Sequence, residues 1–386
     1  MPTSPVPFPP QHLLAFHLLF HVALATNPIT VRRACFPPLA AILIYLLYNT
    51  STPHRTQNWL TGHMLVIELL TASDYLLVTA DVHELRQTGT DSKFSISTAP
   101  FVARLKWASR LTLNPRGIGW LHEPTSALPP RPTASRSTFL VCQIVQFAVH
   151  AFALLVIGRA ASSVPVLRTG SPGLGSNGWL QRLLAVLLLW SSLYTCARVR
   201  GCAMRIVFVG LGFWDPYECP ELFDSWRQAY SVRKFWGKFW HQIIRRILVS
   251  HSKLIAHRIL NLHPGSTASA YTQLFVAFFL SGIIHYSGQY MLLRDESRPM
   301  PKGPLVFFLA QAVVITLEDG LVAVGKKLHL TSGWWRVIGY AWVVAWLSIS
   351  TPVWIDQQVA AGFMDIENKG GMTLKFAVLG DLYLDM

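Results

Sequence analysis

Charge is scarce in this chain. Asp, Glu, Lys and Arg make up 13% of its 386 residues, against about 25% in ordinary soluble domains. Hydrophobic residues make up 52%, and a soluble protein of this size would not need so many long uncharged runs. The chain therefore reads as a polytopic membrane protein. Acids are scarcer than bases, 19 against 33, which leaves a formal charge of +14. Cysteine is sparse too. Cys35, Cys142, Cys196, Cys202 and Cys219 have no metal-like pairing and four lie in or beside apolar runs, so neither a zinc site nor a disulfide framework is expected. No zinc-finger spacing, RNA-binding signature or glycine-rich phosphate loop is present, so the basic excess is not assigned to nucleic acid. No basic stretch precedes the first apolar run and no clear cleavage site follows it, which argues against a removed signal peptide.

What the chain does have is apolar length. A helix needs roughly 20 apolar residues to cross a bilayer, and eight stretches qualify, at about 11–27, 35–49, 59–79, 138–158, 178–197, 271–293, 303–324 and 334–354. Pro37-Pro38 blurs the start of the second. A further run at 203–214 is too short to span alone; it either extends the fifth helix or dips into the membrane. If each stretch crosses once, four basic groups fall on one side: Arg32 and Arg33, the Arg and Lys of 80–137 (Lys93 among them), those of 215–270, and Lys326 and Lys327. That side is then cytosolic. A ninth crossing at 203–214 would break the parity. No internal repeat is visible, the Ser-, Thr- and Pro-rich loop 80–137 reads as a surface connection, and the tail after Trp354 stays unassigned. The expected fold is an all-α polytopic membrane protein, one domain over 1–386, with about eight transmembrane helices and added interfacial helices.

A titratable ring inside a span is costly and hence a functional candidate. His285 lies near the centre of the sixth span, with Ser281, Gly282 and Gly288 close in sequence. The plain reading is a neutral imidazole bonded to a neighbouring helix. The functional one is a buried general base that takes a proton from an alcohol, with Gln289, four residues on, orienting ring or substrate. Upstream lies Ser231-Val-Arg-Lys-Phe-Trp-Gly-Lys-Phe-Trp-His-Gln242. Read as a helix, it sets Lys234, Lys238, His241 and Arg245 on one stripe beside a row of aromatics. An amphipathic interfacial helix explains all of this except His241 and Gln242. The functional reading adds a pocket for an anionic, adenine-containing cofactor, drawn from Trp236, Lys238, Trp240, Gln242 and Arg245, with His241 facing the reaction. Glu318-Asp319 interrupts the seventh span; the pair either helps shape the site or makes a structural pair with another helix. Asn114-Pro-Arg-Gly-Ile-Gly-Trp120 reads as a tight turn docked at the interface.

In this order, Asn114-Pro-Arg-Gly-Ile-Gly-Trp120, Phe235-Trp-Gly-Lys-Phe-Trp-His-Gln242, His285 and Glu318-Asp319 resemble the wax synthase-like branch of the membrane-bound O-acyltransferases. The likeness is strongest over about 100–354 and nearest to fungal members that acetylate terpenoid or meroterpenoid alcohols. Phe239 stands where the family motif often carries a second basic residue. The resemblance implies a multi-helix fold around a tunnel in the membrane, with His285 as the catalytic histidine and His241 at the second conserved polar position. It also implies transfer from acetyl-CoA to a small apolar alcohol arriving from membrane lipid, without an acyl-enzyme or a metal. Ser281, Gln289, Glu318 and Asp319 would line the substrate side. The endoplasmic reticulum is the default home of such an enzyme. Long-chain acyl-CoA is the rival donor. A proton-coupled transporter is the rival of another class, but it would predict paired halves.

Overall fold

Lipid offers the backbone no hydrogen-bond partner, so a chain this apolar satisfies itself as helix. The computed structural model describes residues 5–79, 82–89, 96–168, 170–176, 178–294, 302–329 and 333–362. Lys93 and the tail beyond 362 lie outside the described residues. In chain order the α-helices are α1 (Pro10–Ala25), α2 (Ile29–Ala34), α3 (Phe36–Asn49), α4 (Arg55–Ser73), α5 (Phe101–Thr112), α6 (Arg136–Ser162), α7 (Trp179–Gly210), α8 (Val232–Lys234), α9 (Arg245–Lys253), α10 (Thr267–Leu293), α11 (Gly303–Lys327) and α12 (Trp334–Ala360). A parallel pair of two-residue strands joins Val6–Pro7 to Thr50–Ser51.

Among the described residues, six helical segments are long and apolar enough to cross a membrane: Ile29–Asn49, α6, α7, α10, α11 and α12. The two remaining expected spans fall short for different reasons. With 16 residues, α1 reaches only about 24 Å at 1.5 Å per residue, against a hydrocarbon core of about 30 Å. The sequence of α4 is diluted by Arg55, Gln57, Asn58, His63 and Glu68. The run 203–214 extends the fifth span, since α7 continues unbroken to Gly210.

The chain forms two units, each assembled from separate stretches of sequence. The first comprises Met1–Pro53, Asn58–Ser126 and Ile243–Met291; the second comprises His54–Gln57, Ala127–Gln242 and Leu292–Met386. In the first unit, Phe16, Phe20, Leu39, Leu43, Leu46, Tyr75, Trp120 and Met291 share one core. The loop 80–137 is less of a bare connection than expected, because it contains α5, whose Ala108 and Leu111 are wholly buried in that core. Asn114 closes the turn after α5, bonding both the N–H of Ile118 (3.0 Å) and its carbonyl (2.7 Å). Gly117 and Gly119 there take φ of 64° and 78°, which favour glycine. At its C-terminal end α4 winds into a π turn, Asp74–Val78. Arg246 of α9 holds that turn, lying 2.8 Å from the fully buried Asp74 and donating to Thr79 Oγ1 at 3.1 Å.

In the second unit α6 and α7 pack along each other, with Phe139, Val209 and Cys219 between them and the loop that follows. Glu221 of that loop takes hydrogen bonds from Arg198 and, at 3.0 Å, from Arg205. Burial alone would raise the Glu221 carboxyl, but the two guanidinium groups hold it below the usual range. On the other face of α6, Val141, Ile144, Val145, Val149, Phe152, Leu155 and Val156 are exposed at helical spacing. In water such a stripe would be a liability; in lipid it is the contact surface.

Candidate active site

His285 owes its setting to a close crossing of α4 and α10 within the first unit. A Cβ on Gly62 would run into the Ser287 carbonyl and come within 2.8 Å of the Gly288 Cα. A Cβ on Gly288 would collide with the ring of His63 and stand 2.6 Å from the Trp59 carbonyl. Small residues let helix backbones meet in lipid, where packing rather than water drives association. The Ser287 hydroxyl fastens the crossing, 2.8 Å from the Gly62 carbonyl and 2.6 Å from that of Ile284. Ser281 and Gln289 lie one turn to either side of His285, buried.

Both imidazoles at the crossing have their tautomer set by the backbone. His285 Nδ1 is 2.8 Å from the Ser281 carbonyl and His63 Nδ1 is 2.6 Å from the Trp59 carbonyl. A carbonyl only accepts, so each neutral ring carries its hydrogen on Nδ1 and its lone pair on Nε2. The two rings touch at right angles, centroids 4.9 Å apart, and Trp59 covers His63 at 4.2 Å. His63 is not among the residues expected from the sequence, although it falls within the expected third span and, like His285, is a titratable ring there.

The segment 231–242 is built in the second unit, and by different means. Ser231 caps α8 through its hydroxyl, which accepts from the Lys234 N–H at 3.1 Å. Glu318 of α11 caps it from outside, accepting from the Val232 N–H (2.9 Å) and the Arg233 N–H (3.0 Å), while Asp319 pairs with the Arg233 guanidinium. The acids therefore sit where the helix N-terminus favours negative charge, which is the structural pairing weighed above.

Phe235–Phe239 is wound as a π turn, and Trp240 leaves helical geometry at ψ 148°. The single stripe from Lys234 to Arg245 is thus not a helix face. Trp240 breaks it and α9 starts afresh at Arg245, a residue of the first unit. The turn holds because Gln242 folds back, its amide donating to the carbonyls of Trp240 (2.5 Å) and Trp236 (3.1 Å). Trp236 donates in turn to Gln311 Oε1 at 3.2 Å, which also takes the Trp346 indole at 2.8 Å. Trp190 stands edge-on to Phe235, Trp236 and Trp240, the last at 4.9 Å. His241 is half-buried beside Trp240, ring centroids 5.5 Å apart, and Lys238 is half-buried on the turn.

Comparison with known proteins gives this geometry a family. Residues 219–310 match the family model described as "Membrane bound O-acyl transferase family", a stretch that contains both the π turn and His285. The chain is 32% identical to acetyltransferase ple2 of Rhodocybe pseudopiperita over 379 residues, 98% of this chain and 97% of the relative. It is also 32% identical to acetyltransferase eriL of Hericium erinaceus, over 95% of this chain and 94% of the relative. The chain belongs to the membrane-bound O-acyltransferase family. No solved structure matches it. As a membrane-bound O-acyltransferase it is an enzyme working in lipid on a small acceptor, and membership implies an acyl-CoA co-substrate. The transporter alternative falls away.

Proposed function

We propose that this O-acyltransferase moves an acetyl group from acetyl-CoA to a hydroxyl of an apolar, terpenoid-type secondary metabolite, with His285 as general base and no acyl-enzyme. One observation carries the reading: His285 sits within a membrane span with its hydrogen fixed on Nδ1 by the Ser281 carbonyl. That leaves Nε2 as the basic nitrogen, the state a general base requires. The names of the relatives favour acetyl as the transferred group.

In the reaction, Nε2 of His285 takes the alcohol proton as the oxygen attacks the thioester carbonyl. The C–S bond then breaks, and the departing thiolate recovers the proton as the thiol of coenzyme A. His241 donates a hydrogen bond to the developing oxyanion. Lys238 and Arg245 attract the phosphates of the co-substrate, and the indoles of Trp236 and Trp240 offer faces for its adenine. Gln242 serves by holding the turn that presents His241. Ser281 and Gln289 border the acceptor. Glu318 and Asp319 act one step back, by anchoring α8. The acceptor enters from lipid and acetyl-CoA from the cytosolic side, where the basic loops lie, in the endoplasmic reticulum membrane.

The test is a donor competition. Microsomes carrying the chain receive labelled acetyl-CoA or palmitoyl-CoA with a panel of hydroxylated terpenoids, and esters are read by mass spectrometry. Acetate esters are expected. Esters formed from palmitoyl-CoA alone would move the enzyme to wax or sterol ester synthesis.

A further inference from the structure

Beside the proposed base lies a second imidazole that the mechanism above does not use. His63 is 8% exposed, and its Nε2 is buried with no hydrogen-bond partner among the described residues. A buried polar atom left unpartnered in a well-packed place is costly and calls for an explanation. Chance orientation does not supply one, because the ring is held on three sides. The Trp59 carbonyl fixes Nδ1, the Trp59 indole covers the ring, and the bare Cα of Gly288 leaves room for it. Nothing else at Gly288 would fit: any Cβ there meets this ring.

The protonation states give the orphan nitrogen a use. With both hydrogens on Nδ1, each neutral ring offers only a lone pair at Nε2, and two acceptors have nothing to exchange. Once His285 has taken a proton on Nε2 it becomes a donor, and an acceptor is wanted beside it. His63 is the ring in contact, at 4.9 Å and perpendicular. We propose that His63 is a positioning residue for the base: its Nε2 accepts the hydrogen that His285 takes from the alcohol, so the imidazolium formed during acetyl transfer is held by a charge-assisted hydrogen bond. The proton balance of the reaction is unchanged. One proton leaves the alcohol oxygen, resides on His285 while shared with His63, and ends on the sulfur of coenzyme A. Because the bond exists only when His285 is charged, it favours the transition state over the ground state and acts on kcat rather than on substrate binding.

The inference rests on His285 being the base, so the experiment separates the two. Four proteins are compared in microsomes with acetyl-CoA and the terpenoid alcohol of the panel that wild type acetylates fastest: wild type, His285→Ala, His63→Phe and His63→Gln. Phe keeps a ring against Trp59 and Gly288 but has no acceptor, whereas the Gln carbonyl restores one. The expected result is a fall in kcat of about 10–100-fold for His63→Phe, the size of a lost charge-assisted hydrogen bond. KM should be unchanged, as should protein abundance and melting temperature in detergent, and kcat should recover in part with Gln. A normal kcat for His63→Phe with His285→Ala inactive would overturn the role of His63 and leave the base in place. Equal losses in Phe and Gln, or a loss confined to KM, would also overturn it, since a purely structural ring accounts for both. Full activity in His285→Ala would remove the base itself, and this inference with it.

Discussion

The α4–α10 crossing and the 231–242 turn both present a histidine, and they handle polar groups in opposite ways. In the turn, the polar side chains Glu318, Asp319, Gln242 and Gln311 are spent on the protein itself, bonded to backbone N–H, backbone carbonyls, a guanidinium or indole N–H. At the crossing, backbone carbonyls take Nδ1 of each ring, so each neutral ring keeps its lone pair on Nε2. The first arrangement builds a rigid irregular loop; the second sets a tautomer. Scaffolding and the proposed reactive groups thus come from different residues, so substitutions in the two regions should fail in different ways.

The sharpest break is between the two histidines. His285→Ala should lower kcat/KM by about 10²–10⁴-fold, the worth of a positioned base, and His241→Ala by about 10²–10³-fold, the worth of an oxyanion donor. Steady-state kinetics on protein of matched abundance checks the order, and a larger loss at His241 would reverse the roles. Next come two glycines that look alike in sequence. Gly288→Ala should destabilise by about 1–3 kcal/mol because its methyl meets His63 and the Trp59 carbonyl. Gly320→Ala on α11 has nothing within 4 Å of the new methyl and should stabilise by up to about 1 kcal/mol. Melting in detergent distinguishes them.

In the turn, Glu318→Ala should cost about 1–2 kcal/mol through the lost cap of α8, with kcat affected less than KM for acetyl-CoA. His122, outside the spans, offers a contrast in pH rather than in rate. Burial, then Arg246, lower its pKa from 6.5 to about 4, outweighing the Glu84 backbone, which accepts from the ring and raises it. Between those values the unfolded chain binds the proton and the folded one does not. Stability should therefore fall as pH drops from about 6.5 to about 4, and His122→Phe should flatten that part of a melting-versus-pH curve.

Much of the fold was written in runs of residues. Apolar length located α6, α7, α10, α11 and α12, because in lipid hydropathy and helix coincide. It overstated α1, which ends at Ala25 just before Asn27-Pro28, and α4, whose Asn58 and His63 are buried. It passed over α5, whose apolar contacts lie on one narrow side. The π turn at 235–239 was not legible, since Gln242 is its one holding residue close in sequence, while Gln311 and Glu318, which anchor Trp236 and α8, are more than 70 residues away. His285 was legible because a titratable residue stands out among Leu, Ile and Phe. His63 was just as visible, but its meaning depends on Gly62 and Gly288 meeting across two helices, which no spacing within one helix reveals.

The central claim is that His285 is the base for acetyl transfer to an alcohol. The most direct measurement compares wild type and His285→Ala microsomes, at equal protein abundance, given labelled acetyl-CoA and hydroxylated terpenoids, with product read by mass spectrometry. The account predicts an acetate ester from wild type that disappears with the variant. Ester formation at an undiminished rate in His285→Ala would contradict it.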